Sequence, residues 1–269
     1  MKNRPCAALL LIAFTFACTA LAGAQEWAKT ALEKSPRHQE WANIKHGDRT
    51  VNAFVVYPEV KGKATTVIVI HENAGLTDWT RTVADQLAAA GYIAIAPDLL
   101  SGMAPAEMKP AEFPGSDAAR QAIRKLTPEG VTSDLNAVFD YAKKLPAANG
   151  KVAVGGFCWG GGQTFRYATN QPALAGAFVF YGPPPAEGMA NIKAPVYGFY
   201  GGDDARITAT VPKTAEDMKA AGKTFDQVTY EGAGHGFMRS GMAPEASEAN
   251  KKAREQAWER WLKLLKDAK

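Results

Sequence analysis

The chain has 269 residues, 46% of them apolar, with 31 Lys and Arg against 27 Asp and Glu and a net charge of +4 at pH 7. Such a near-balanced charge gives no reason to expect a nucleic-acid or membrane-surface partner. No metal-ligand spacing, phosphate loop or dinucleotide fingerprint occurs, so neither cofactor nor metal is expected.

The N-terminus reads as an export signal. Lys2 and Arg4 precede an apolar run from Ala7 to Leu21, and Ala22-Gly23-Ala24 offers the small-x-small cleavage pattern. The run is about 15 residues, shorter than the roughly 20 needed to span a bilayer. Cleavage after Ala24 would remove Cys6 and Cys18 and leave Cys158 as the sole cysteine of an exported, periplasmic or secreted chain. An unpaired thiol is a liability in an oxidising compartment unless it is buried or kept for chemistry. The loss of two basic residues would bring the net charge near +2, and residues 25–269 suit one domain without linker or repeat.

Short apolar runs then alternate with helical stretches. Glu40 to Lys45 and Thr50 to Tyr57 flank His46-Gly47-Asp48-Arg49 and predict an antiparallel hairpin. Thr66 to Ile70 is β-branched throughout, as a strand buried on both faces requires. Asp78 to Ala90 predicts a helix stopped by Gly91. Tyr92 to Ala96 is the next strand, and Ser101–Gly130, with four prolines, reads as a lid-like insertion containing a short helix over Asp117–Leu126. Ser133 to Leu145 is a helix, followed by strands at Val152–Val154, Ala177–Phe180, Val196–Tyr200 and Phe225–Tyr230. A closing helix over Glu248–Lys266 carries Ala257, Trp258, Trp261, Leu262 and Leu265 on one stripe. The alternation predicts an α/β fold: a mostly parallel sheet with helices on both faces.

Gly156-Phe157-Cys158-Trp159-Gly160, between a strand and a helix, has the layout of a nucleophile elbow. The helix N-terminus would favour a thiolate or an oxyanion there. The remaining triad members should follow as acid, then histidine. Asp203 and Asp204 end one strand, and His235 follows the next; it is the only one of the four histidines placed after Cys158.

Over roughly residues 40–266 the chain resembles the dienelactone hydrolase (carboxymethylenebutenolidase) family, which carries cysteine in the elbow. The resemblance implies the α/β-hydrolase fold and, from Gly201-Gly202-Asp203-Asp204 and Gly234-His235-Gly236-Phe237, a Cys158–His235–Asp204 triad. It further implies that Glu72, in His71-Glu72-Asn73-Ala74-Gly75, contacts the thiol and helps generate the thiolate when substrate arrives. Arg239, four residues past His235, matches an arginine that holds a substrate carboxylate. A second such arginine would come from the Ser101–Gly130 segment, where Arg120 and Arg124 are the candidates. By the logic of the fold, the backbone N–H groups of Asn73 and Trp159 form the oxyanion hole.

A thiolate leaves a tetrahedral intermediate more readily than a simple alkoxide, so attack on an ordinary ester tends to revert. An enol ester or lactone releases a stabilised enolate and avoids reversion. The expected reaction is therefore hydrolysis of activated esters and enol-lactones, small molecules that can carry a carboxylate, by a monomeric enzyme. Rival readings are a broad carboxylesterase or thioesterase on the same scaffold and, outside enzymes, a thiol-sensing or binding protein with a residual triad.

Overall fold

The computed structural model describes residues 26–104 and 116–267. The expected leader over residues 1–24 and much of the segment 101–130, including Pro105, Pro110 and Pro114, lie outside the described residues. A first helix, α1, covers residues 26–33 and sends Ala28 and Leu32 into the core. β1 (Gln39–His46) and β2 (Arg49–Val56) pair antiparallel through a two-residue turn. Gly47 takes φ +52° there, a value that costs a residue without Cβ little.

The core strands are β3 (Ala64–Ile70), β4 (Ile93–Asp98), β5 (Ala148–Phe157), β6 (Ala177–Phe180), β7 (Val196–Gly201) and β8 (Phe225–Tyr230). Every residue of β3 is buried. Side chains alternate across the sheet, so Val67 and Val69 join one core layer while Ile68 and Ile70 join the other. The first layer packs under α2 (Asp78–Ala89) and α9 (Glu248–Asp267), which contribute Val83, Leu87, Ala257, Trp261 and Leu265. The second packs under α4 (Pro128–Lys144) and α5 (Trp159–Asn170), with Leu135, Val138, Phe139 and Phe165. Burying each large side chain of this kind contributes about 1.5–3 kcal/mol.

The described strands form an eight-stranded sheet in the order β1-β2-β4-β3-β5-β6-β7-β8. β2 runs antiparallel to β1 and β4, and the other pairings are parallel. This is the α/β-hydrolase architecture, opened by the antiparallel hairpin expected from residues 40–57. Because the chain passes from β3 to β4 on one side and from β5 to β6 on the other, the loops after β3 and β5 leave in opposite directions. A crevice opens between them at the C-terminal edge of the sheet, where ligands of such folds bind.

Some elements depart from the pattern read along the chain. α4 starts at Pro128, five residues before the expected start at Ser133, because the Thr127 hydroxyl accepts from the Gly130 N–H at 3.1 Å. Proline is tolerated in that first turn, where its missing N–H would lack an intrahelical partner anyway. α3 (Ser116–Ile123) corresponds to the short helix expected over Asp117–Leu126, starting one residue earlier and ending three residues earlier. α6 (Ala205–Thr208), α7 (Val211–Ala220) and α8 (Phe237–Ser240) had no clear signature, being short or weakly amphipathic.

Candidate active site

Cys158 joins β5 to α5 with φ +55° and ψ −115°, a conformation non-glycine residues rarely adopt. Its N–H donates to the Phe180 carbonyl at 3.0 Å and its carbonyl accepts from the Gly162 N–H at 3.1 Å, so the strain is held from both sides. The glycines beside it make that turn possible. A Cβ at Gly156 would lie 2.3 Å from the Gly160 carbonyl oxygen, and one at Gly160 would lie 2.3 Å from that of His71.

β7 and β8 deliver the next two groups to the same edge. Asp204 is buried, and its Oδ2 accepts from His235 Nδ1 at 2.5 Å; Asp203 faces solvent. The sequence left a choice between two carboxylates until the family resemblance was invoked, and the turn geometry makes the same selection independently. The imidazole pKa is pushed up to about 9, above all by the hydrogen bond with Cys158, against burial and with help from Asp204. Both neighbours thus favour the protonated ring.

Glu72 and Arg239, read from the sequence as having separate tasks, meet each other. Arg239 Nε donates to Glu72 Oε2 at 2.8 Å, and the side chains are 35% and 11% exposed. Tyr181, which the sequence reading missed, lies fully buried beside them with φ +40°. Its hydroxyl is 3.5 Å from Glu72 Oε1, and its ring stands edge-on to His235 at 5.1 Å. Burial, reinforced by Glu72, drives the Tyr181 pKa well above its usual value. Only its position directly after an apolar strand, level with the nucleophile turn, could have signalled it.

Asn73 follows β3 and Trp159 opens α5. Among the described residues, neither backbone N–H donates to a protein acceptor, as an oxyanion site needs. Arg120 pairs with Asp117 and Ser116 on its own helix, at 2.5 and 3.1 Å. Arg124 faces solvent. The inner face of α3 is instead apolar: Ala119, Ala122 and Ile123 pack with Leu100 against the partly buried Trp159.

A groove of about 980 Å³ between β8 and α9, lined by Val228, Tyr230, Ala253 and Arg260, contains none of these groups. Among the described residues no His, Cys, Asp or Glu cluster could hold a metal. No described helix is long and apolar enough to cross a membrane.

A strained residue between strand and helix, with a histidine–carboxylate pair delivered by the last two strands, defines an α/β-hydrolase. Residues 51–269 match the profile of the dienelactone hydrolase family, and the chain belongs to that family. A provisionally named carboxymethylenebutenolidase of Methylorubrum extorquens is 32% identical over 203 residues, covering 71% of this chain and 69% of that protein. Another from Saccharolobus solfataricus is 30% identical over 249 residues, covering 80% and 93%. The crystal structure of a provisionally named dienelactone hydrolase from Klebsiella pneumoniae superposes with a TM-score of 0.73 at 27% identity, over 84% of this chain and 97% of that one. The chain is accordingly an enzyme, a carboxylic ester hydrolase of this family.

Proposed function

We propose that the chain hydrolyses activated esters, above all enol-lactones of the dienelactone type, through a thioester on Cys158. The observation that carries this reading is the 2.5 Å hydrogen bond between His235 Nδ1 and Asp204 Oδ2, on an imidazole whose pKa Cys158 raises. In the proposed reaction His235 takes the thiol proton as Sγ bonds to the carbonyl carbon. The oxyanion accepts from the Asn73 and Trp159 N–H groups. Collapse breaks the carbon–oxygen bond, and the enolate leaves with the proton that His235 returns. Water then attacks the thioester, giving its proton to His235, and the acid departs as the thiol re-forms.

The Glu72–Arg239 pair supports a role for a substrate carboxylate. An incoming carboxylate that takes the Arg239 fork would leave Glu72 without its cation, free to relay the thiol proton to His235. Until then the thiol has less help in ionising, which protects it from oxidation. That protection suits the exported location that we also propose, with the mature chain starting at Gln25.

The test is intact-protein mass spectrometry during turnover of an enol-lactone. Wild type should gain the mass of the acyl group, and Cys158→Ala should gain nothing and lose turnover. Activity surviving the alanine change would remove Cys158 from the mechanism. Equal turnover of an enol-lactone and its saturated counterpart would remove the substrate preference. N-terminal sequencing of the exported chain should read from Gln25.

A further inference from the structure

His71 lies between β3 and Glu72, is fully buried, and takes no part in the chemistry described above. Its Nδ1 is 2.7 Å from the Glu72 carbonyl oxygen. A carbonyl can only accept, so Nδ1 carries the proton and donates. Burial lowers the pKa of the ring, against Asp98 and Glu72, and Nε2 has no hydrogen-bond partner, as fits a lone pair and not a buried N–H. The ring also stacks on Trp159, with centroids 5.3 Å apart and planes 20° from parallel.

The Glu72 carbonyl and the Asn73 N–H belong to one peptide unit, and in a trans peptide they point in opposite directions. The Glu72 carbonyl also accepts from the Gly75 N–H at 3.3 Å, and the shorter bond from His71 is therefore the stronger of two that set where the N–H aims. It also polarises the amide, making that N–H a stronger donor. The stacked face of the same ring rests on the residue that supplies the second N–H.

We infer that His71 is a positioning residue that aims the Asn73 N–H, one of the two oxyanion donors, through the Glu72 carbonyl. It touches neither substrate nor thiol. The inference rests on the reading of Cys158 as the acylated nucleophile.

The test compares His71→Phe with His71→Asn. Phenylalanine keeps the stacked ring and removes the donor; asparagine places an N–H where Nδ1 sits. Acylation of Cys158 by an activated aryl ester builds an oxyanion, whereas alkylation by iodoacetamide builds none. His71→Phe should acylate about ten- to a hundredfold more slowly, with KM little changed, since losing one oxyanion donor outright costs about a hundred- to a thousandfold. Its iodoacetamide rate and thermal midpoint should match wild type, because the change also removes an unpartnered buried nitrogen. His71→Asn should recover acylation to within a few-fold of wild type. Unchanged acylation in His71→Phe, a parallel fall in both reactions, or no rescue by asparagine would each overturn the inference. If wild type itself forms no acyl group on Cys158, the nucleophile reading fails first, and the His71 comparison need not be consulted to see it.

Discussion

Cys158 occupies a backbone conformation that stores strain of about 1–3 kcal/mol. Glycine enters that region freely but costs about 0.5–1 kcal/mol in unfolded-chain entropy. Cys158→Gly should therefore unfold at higher urea than Cys158→Ala, by about 1 kcal/mol, while both lack activity. If alanine proves the more stable replacement, the surrounding turn does not impose strain on residue 158. The histidine partner makes a second prediction, about pH. The folded pKa of His235 is raised to about 9, first by Cys158 and then by Asp204. A raised pKa means that stabilisation from the protonated ring is complete below the unfolded value of about 6.5 and fades as pH climbs through about 9. The thermal-midpoint advantage of wild type over His235→Gln should shrink across that interval; an advantage that is flat or grows with pH would contradict the assigned partners.

At the level of elements, the site depends on how closely α5 approaches the end of β3. A Cβ on Gly160 would meet the carbonyl oxygens of His71 and Ile70 at 2.3 and 2.5 Å, both rigid backbone atoms. Gly160→Ala must push the helix off the strand, at a cost of about 3 kcal/mol by the usual scale of overpacking. Because Trp159 moves with the helix, acylation should fall more than tenfold even where the variant remains folded, as judged by circular dichroism at the assay temperature. A variant with wild-type stability and rate would show that the helix can yield without cost. α9 is fixed from the other side of the sheet. Trp261 packs edge-on to Phe157, the residue before Cys158, and to Phe180 on the neighbouring strand.

Across the whole molecule, one buried carboxylate ties three distant segments together. Asp134 on α4 accepts from Arg49 Nε at 2.8 Å and lies 2.7 Å from His46 Nε2, both at the hairpin turn. Arg49 continues to the carbonyls of Leu99 and Ser101, just after β4. Asp134→Ala would leave the guanidinium without its carboxylate. Breaking a fully buried pair costs about 3–5 kcal/mol; with Arg49 a third exposed, about 2 kcal/mol is expected in urea unfolding. A loss below 0.5 kcal/mol, roughly that of a surface pair, would show that water already satisfies Arg49.

Much of this molecule is legible along the chain. The strands, the hairpin turn and the closing helix follow from period-two and period-3.6 patterns, because each element must bury one face whatever its neighbours are. The placement of Cys158 at a strand-to-helix turn and of His235 after the last strand was legible too, since so tight a turn needs glycines at fixed offsets. Tertiary structure decided the rest. It selected Asp204 over Asp203, because the turn after β7 buries one carboxylate and exposes the other. It paired Glu72 with Arg239, 167 positions apart, and set Tyr181 beside them, 109 positions from Glu72. No local pattern encodes those meetings. They arise where the sheet reverses its winding between β3 and β5, and that juxtaposition exists only once the strands are ordered in space.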